Sequence, residues 1–280
     1  MSASTPSIRD ALYEAPGPKA RRWIAVATAV SLAALAVLAA LIVRQFAITG
    51  QLDAKYWALF TRYTTWRFLL RGLAGTLKVA LAAGLLAFAT GMLLMLARIS
   101  RSPVARGIGM ALIEFSRGVP TLLFIYFFFL VAPQLGVRLP AFWKIAAPVA
   151  ISAAGVVAEV LRSGVNAVPR GQREAALSLG MRESSVFFKI VFPQALRYVV
   201  PAMISELVIV LKDTTFAYVV NYADLMQNAR VLISNYDALL SVYLVTAVIY
   251  ILINYALNRI SVAVARRQDA GARRAAGRSR

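Results

Sequence analysis

GQREAALSLGMRESSVFFKIVFP, residues 171–193, is a polar stretch set between long apolar runs, and the rest of the chain is organised around it. Pro169, just upstream, can open a helix because the first-turn N–H that it lacks has no partner there. Glu174 falls in the early turns of that helix, where the helix dipole favours an anion. Ala175 and Ala176 offer a low surface that a partner protein can approach closely. Gly180 can adopt the left-handed conformation that ends a helix and turns the chain back toward a bilayer. This spacing predicts a short helix on a water-exposed loop between two membrane spans.

The surrounding composition supports a bilayer. Of 280 residues, 60% are hydrophobic and only 15% charged, and the mean hydropathy is +0.69. Soluble globular domains lie far from those values. The fold class is therefore all-α and polytopic. The net charge of +19 sits in loops and chain ends, a pattern set by topology and lipid headgroups rather than by a nucleic-acid groove. With no Cys and no His, thiolate nucleophiles, imidazole bases, disulfides and the usual transition-metal sites are excluded.

A span needs about 20 apolar residues. Residues 23–43, 79–97, 118–137 and 238–258 carry no charge, and two more spans, 142–161 and 198–220, carry ionisable groups. Six transmembrane helices are thus predicted. The first is read as a retained span, since it is long for a signal peptide and Arg44 stands where a cleavage site would need small residues. With the N-terminus inside, the internal segments hold 21 Lys and Arg against nine outside, so both termini are expected in the cytosol of a bacterial cell with the chain in its cell membrane. Residues 44–71 dissent, and their mixture of Lys55, Tyr56, Trp57, Phe60 and Trp66 predicts an external interfacial segment. The tails, 1–22 and 261–280, are polar and basic; residues 1–22 and 265–280 are expected to be disordered and lipid-facing.

Glu174-Ala175-Ala176, Gly180, Ile190 and Pro193 resemble the EAA loop of ABC importer permeases, with Phe192 where that family usually has Leu. The resemblance extends from Gly72 to Ile260. Thr76-Leu77-Lys78, Arg117-Gly118-Val119-Pro120, Ala158 to Gly164, Val168 to Gln172 and Pro193-Gln194-Ala195 look like the polar amino-acid branch. Val119 and Ser163 depart from that branch's usual residues. Residues 211–225, together with Leu12 to Pro18, are similar to glutamate/aspartate permeases, the latter to actinobacterial glutamate permeases. Glutamine, arginine and cystine systems share the same framework.

The resemblance implies a type-1 importer core of five helices over residues 72–260, plus one N-terminal helix. It also implies a cytosolic coupling loop, 164–193, that docks on an ATPase. ATP would then be bound by the partner ATPase dimer and no cofactor by this chain, which has no phosphate-cradling G-x-x-x-x-G-K-[ST] run. A second permease subunit and an external solute-binding protein complete the implied assembly.

Ionisable groups inside hydrocarbon are costly, so each is a candidate for the transport route. Glu159 and Arg162 are three apart and can pair on one helix face. Glu206 follows Pro201, which lacks an N–H and is expected to loosen the helix and free backbone groups. Lys212, Asp213, Thr214 and Thr215 follow half a span later. These seven are the candidate pathway residues; the alternative is that they make inter-helix pairs or snorkel to headgroups. Arg117-Gly118-Val119-Pro120 reads either as a gate-bordering turn or as ordinary helix-start chemistry. An ion-coupled secondary transporter using Glu159, Glu206 and Asp213 remains a second function class, although no internal repeat supports it. An intramembrane enzyme has no motif in its favour.

Overall fold

The computed structural model describes residues 17–277, with side chains described through residue 266. Residues 1–16 and 278–280, which hold most of the expected N-terminal tail and the end of the basic tail, lie outside the described residues. The chain forms two compact units, residues 1–56 and 57–280. The first contains α1, Pro18–Ile48, an apolar helix of 31 residues, and the start of α2, Ala54–Trp57.

The second unit opens with a short 3-10 turn at Ala58–Thr61 and α3, Tyr63–Arg98. At 1.5 Å per residue α3 is about 54 Å long. Residues 63–71, expected in the interfacial segment, are therefore already helical, and Thr65 and Leu69 are buried. There follow α4, Pro103–Gly118, and α5, Thr121–Tyr126, the latter prolonged by a wide π turn to Val131. The remaining elements are α6, Ala141–Ala167; α7, Arg170–Ser178; α8, Glu183–Val186, running through a second π turn into α9, Phe192–Asp213, which a 3-10 turn, Thr214–Val220, prolongs; α10, Leu225–Tyr236; and α11, Leu239–Gly277.

Among the described residues, five helices are long and apolar enough to cross a membrane, and α4 with α5 forms a sixth candidate bent by 95°. Of the span expected over 118–137, helix beyond Pro120 covers only Thr121–Val131, and the bend expected at its entry falls at Val119 and Pro120. Pro120 has no N–H and forces its predecessor into extended backbone, and Val119 is found at φ −91°, ψ 125°. The helical part beyond the break is too short to span a bilayer core of about 30 Å alone. How the pair counts follows from its neighbours. Along α3 and α6, Gly91 faces Ala154 and Val157 and Arg98 faces Glu159, so the two helices run parallel. Parallel helices must be separated by an odd number of crossings, and the broken pair is that one crossing. Between α6 and α9 the contacts run the other way: Gly164 meets Ala195 and Val199, while Ser152 lies toward Asp213 through Thr121.

The core is built from small and β-branched residues of α3, α6 and α9, among them Ala80, Ala83, Ala87, Ala153 and Val157. Small side chains let helices approach where no hydrophobic driving force separates protein from lipid. α9 runs on through Pro201 from Phe192 to Asp213, and the Pro201 carbonyl accepts the Ser205 and Ser261 hydroxyls at 3.1 and 3.0 Å. One further expectation changes. The basic C-terminal segment, expected to be disordered, continues α11 to Gly277, consistent with the helix propensity of Ala and Arg.

Candidate functional site

Of the coupling-loop candidates, Glu174, Ala175, Ala176 and Gly180 lie on α7 and the turn that follows it, and Ile190 and Pro193 lie further on, at the start of α9. Pro169 caps α7 rather than occupying its first turn. At the other end, Gly180 takes φ +78°. Its N–H donates to Leu177 O at 2.9 Å and that of Met181 donates to Ala176 O at 3.2 Å, the two bonds of a Schellman motif. Met181 packs against Ala176 to complete it. The motif fixes which residues face outward. Glu174 and Ala175 are exposed, whereas Ala176 is buried with Val168, Val186, Val191 and Ala195. Ala176 therefore seals the loop's own small core instead of offering itself to a partner, as a residue one position further round a helix must. Leu179, not singled out by the sequence, is 83% exposed at the tip. Ile190 is half-buried against the same small core, and Pro193 is exposed in the first turn of α9.

A cluster of charges braces this loop. Glu183 accepts from Arg173 at 2.9 and 2.7 Å and from Arg101 at 2.8 Å. Arg101 belongs to the α3–α4 turn, so two loops distant in sequence are tied together at one carboxylate.

The pathway candidates separate into distinct places. Glu159 accepts from Arg162 at 3.0 and 2.6 Å, as the i,i+3 spacing predicts, and is also 3.3 Å from Arg98. These three groups link the C-terminal ends of α3 and α6. Glu206 is buried on the wall of a cavity of about 290 Å³ between α3, α6 and α9, otherwise lined by apolar residues such as Leu81, Phe88, Val157 and Met203. Asp213 accepts from Thr121 at 2.9 Å. Thr214 and Thr215 donate to Leu211 O and Lys212 O, both at 2.7 Å, so their hydroxyls are spent on their own helix. Lys212 is exposed beside them.

The described residues thus combine a broken crossing, a cavity at mid-depth holding one carboxylate, and a rigid, exposed loop helix. A model of the family described as the binding-protein-dependent transport system inner membrane component matches residues 87–270. The chain belongs to that family. The glutamate transport system permease protein GluD of Corynebacterium glutamicum is 34% identical over 79% of this chain and 83% of that protein. The probable glutamine ABC transporter permease protein GlnP of Bacillus subtilis is 32% identical over 68% of this chain and 89% of that protein. A crystal structure of an amino acid ABC transporter with histidines superposes with a TM-score of 0.69 at 29% identity, covering 74% of this chain and 96% of that one. As a member of this family the chain is a membrane component of a transport system rather than an enzyme. The all-helical architecture is that expected of a type-1 ABC importer permease.

Proposed function

We propose that this chain is the permease subunit of an ATP-driven amino-acid importer, with glutamate or aspartate as its substrate. It works as one of two permease subunits, with a separate ATPase dimer on the cytosolic side and a separate binding protein outside. The observation that carries this reading is the α7 loop: a helix held rigid by the Gly180 motif and the Glu183 brace, presenting Glu174, Ala175 and Leu179 to water. A lever of this kind can pass motion from an ATPase to the spans that α7 joins. Both termini lie in the cytosol in this reading.

The route runs along the cavity between α3, α6 and α9. A carboxylate with apolar walls around it favours a cation, and Glu206 suits the α-ammonium group that every amino acid carries. Lys212, about two turns further along α9, is the exposed cation that suits an acidic side chain. Glu159 pairs with Arg162 and lies beside Arg98 at the cytosolic end of the same helices, a cluster that keeps one net positive charge and flanks the exit. The similarity to GluD supports an acidic substrate. Glutamine, arginine and cystine transporters are the alternatives that the family framework leaves.

The test is ATP hydrolysis by the reconstituted complex in response to loaded binding protein. Stimulation by the glutamate-loaded form is expected. Stimulation by the arginine-loaded or glutamine-loaded form alone would replace the substrate and leave the permease role standing.

A further inference from the structure

Both sides of the break between α4 and α5 are fastened to a single turn of α6. On the α4 side, the buried Ser116 hydroxyl donates to Ser152 O at 3.4 Å and accepts from Gly155 N at 2.9 Å. The approach is so close that a Cβ on Gly155 would lie 2.4 Å from Ser116 Oγ. On the α5 side, Thr121 Oγ1 is 2.8 Å from Ser152 Oγ and donates to Asp213 Oδ2. Thr121 has one hydroxyl proton, and an ionised carboxylate can only accept. With Asp213 ionised, the Ser152 hydroxyl donates to Thr121, and Ser152, Thr121 and Asp213 lie in one hydrogen-bonded chain. Three helices, α5, α6 and α9, meet in this chain at the point where the backbone turns by 95°.

We propose that Asp213 is a positioning residue: acting through Thr121 and Ser152, it forms a clasp that sets the angle of α5 against α6 and α9. The clasp has to open and re-form when the transport route changes its exposure. Phe115 and Phe124 pack edge-to-face across the break, ring centroids 5.6 Å apart, while Val119 and Pro120 supply neither a side-chain donor nor, at Pro120, a backbone one. Hydrogen bonds of this type are strong enough to fix a geometry and weak enough to exchange in a cycle. Asp213 holds α5 as an acceptor, not as a charge met by the substrate. This inference rests on the importer reading for its functional consequence, but its geometry can be tested without it.

The chain has no cysteine, so spin labels can be placed through Leu123→Cys on α5 and Ile209→Cys on α9, both exposed positions. In the purified complex this pair should give one narrow distance distribution. Thr121→Val and Asp213→Leu should each broaden it, while Asp213→Asn, which keeps a carbonyl acceptor, should not. Broadening in Asp213→Asn equal to that in Asp213→Leu, or an unchanged distribution in Thr121→Val, would overturn the clasp whatever the complex transports. In the same complexes, the ratio of ATPase activity with glutamate-loaded binding protein to that without should fall about ten-fold in Thr121→Val and in Asp213→Leu. The double variant should fall no further, because both changes break one chain. Additive losses would show two independent roles and contradict the proposal. A wild-type complex unresponsive to any loaded binding protein would instead count against the importer reading, with the distance measurement still deciding the clasp.

Discussion

Gly180 is where one residue's backbone sets the shape of a whole loop. At φ +78° a side chain is disfavoured by about 1–2 kcal/mol, although the space around its Cβ position is empty. Gly180→Val should therefore strain the Schellman turn without a clash, and should reduce ATPase co-purification while membrane insertion persists. Undiminished co-purification would remove α7 from the coupling role. Asp224 is the other informative residue. It caps α10, its Oδ1 accepting from Gln227 N at 2.7 Å, while Oδ2 is buried with no hydrogen-bond partner. Burial pushes its carboxyl up to about 6, against backbone N–H groups that pull it down. Tyr222 and Tyr250 feel its charge, and the neighbouring Thr76 accepts from Leu225 N. Because the folded value lies above the ordinary one of 3.8, proton uptake stabilises the fold. That contribution is complete below about 3.8 and is lost as pH rises through about 6. It amounts to no more than about 3 kcal/mol. The solubilised protein should accordingly melt higher at pH 5 than at pH 8. Asp224→Asn, which still caps a helix, should reduce that difference; an unaltered pH dependence would contradict the assignment.

At the scale of elements, what was legible in the sequence was whatever a local pattern encodes. The α7 helix followed from Pro169, the Gly180 turn and the polar composition, and the Glu159–Arg162 pair from its three-residue spacing. Arg98, the third member of that cluster, was not legible because its contact with Glu159 forms only when α3 and α6 pack. The clasp was hidden for the same reason: single hydroxyls at Thr121 and Ser152 carry no pattern until three helices meet. The inward turn of Ala176 was missed because two adjacent alanines look equivalent on paper, whereas a helix rotates them about 100° apart. The break at Pro120 lay in an uncharged run that satisfied the length criterion for a span, and only its proline signalled otherwise. The parallel course of α3 and α6 makes α4 and α5 one crossing, and this fixes the side of everything beyond. A reporter inserted after residue 182 should thus be cytosolic and one after residue 136 external. Labelling of the first position from outside would mean that the broken pair is re-entrant and that α7 faces away from any ATPase.

At the scale of the whole molecule, the 31 Lys and Arg against 12 Asp and Glu are distributed as a membrane requires, with the excess on the side that holds α7. In the proposed reading the chain supplies a route, a clasp at a break in that route and a coupling loop, and ATP hydrolysis by a partner supplies the drive. Its central property is then dependence on that partner. The most direct measurement is uptake of labelled glutamate into proteoliposomes containing the permease with or without its ATPase, with binding protein outside and ATP enclosed. The account predicts uptake only when ATPase, ATP and binding protein are all present, and none from an imposed proton or sodium gradient alone. Uptake driven by such a gradient through the permease without the ATPase would contradict it.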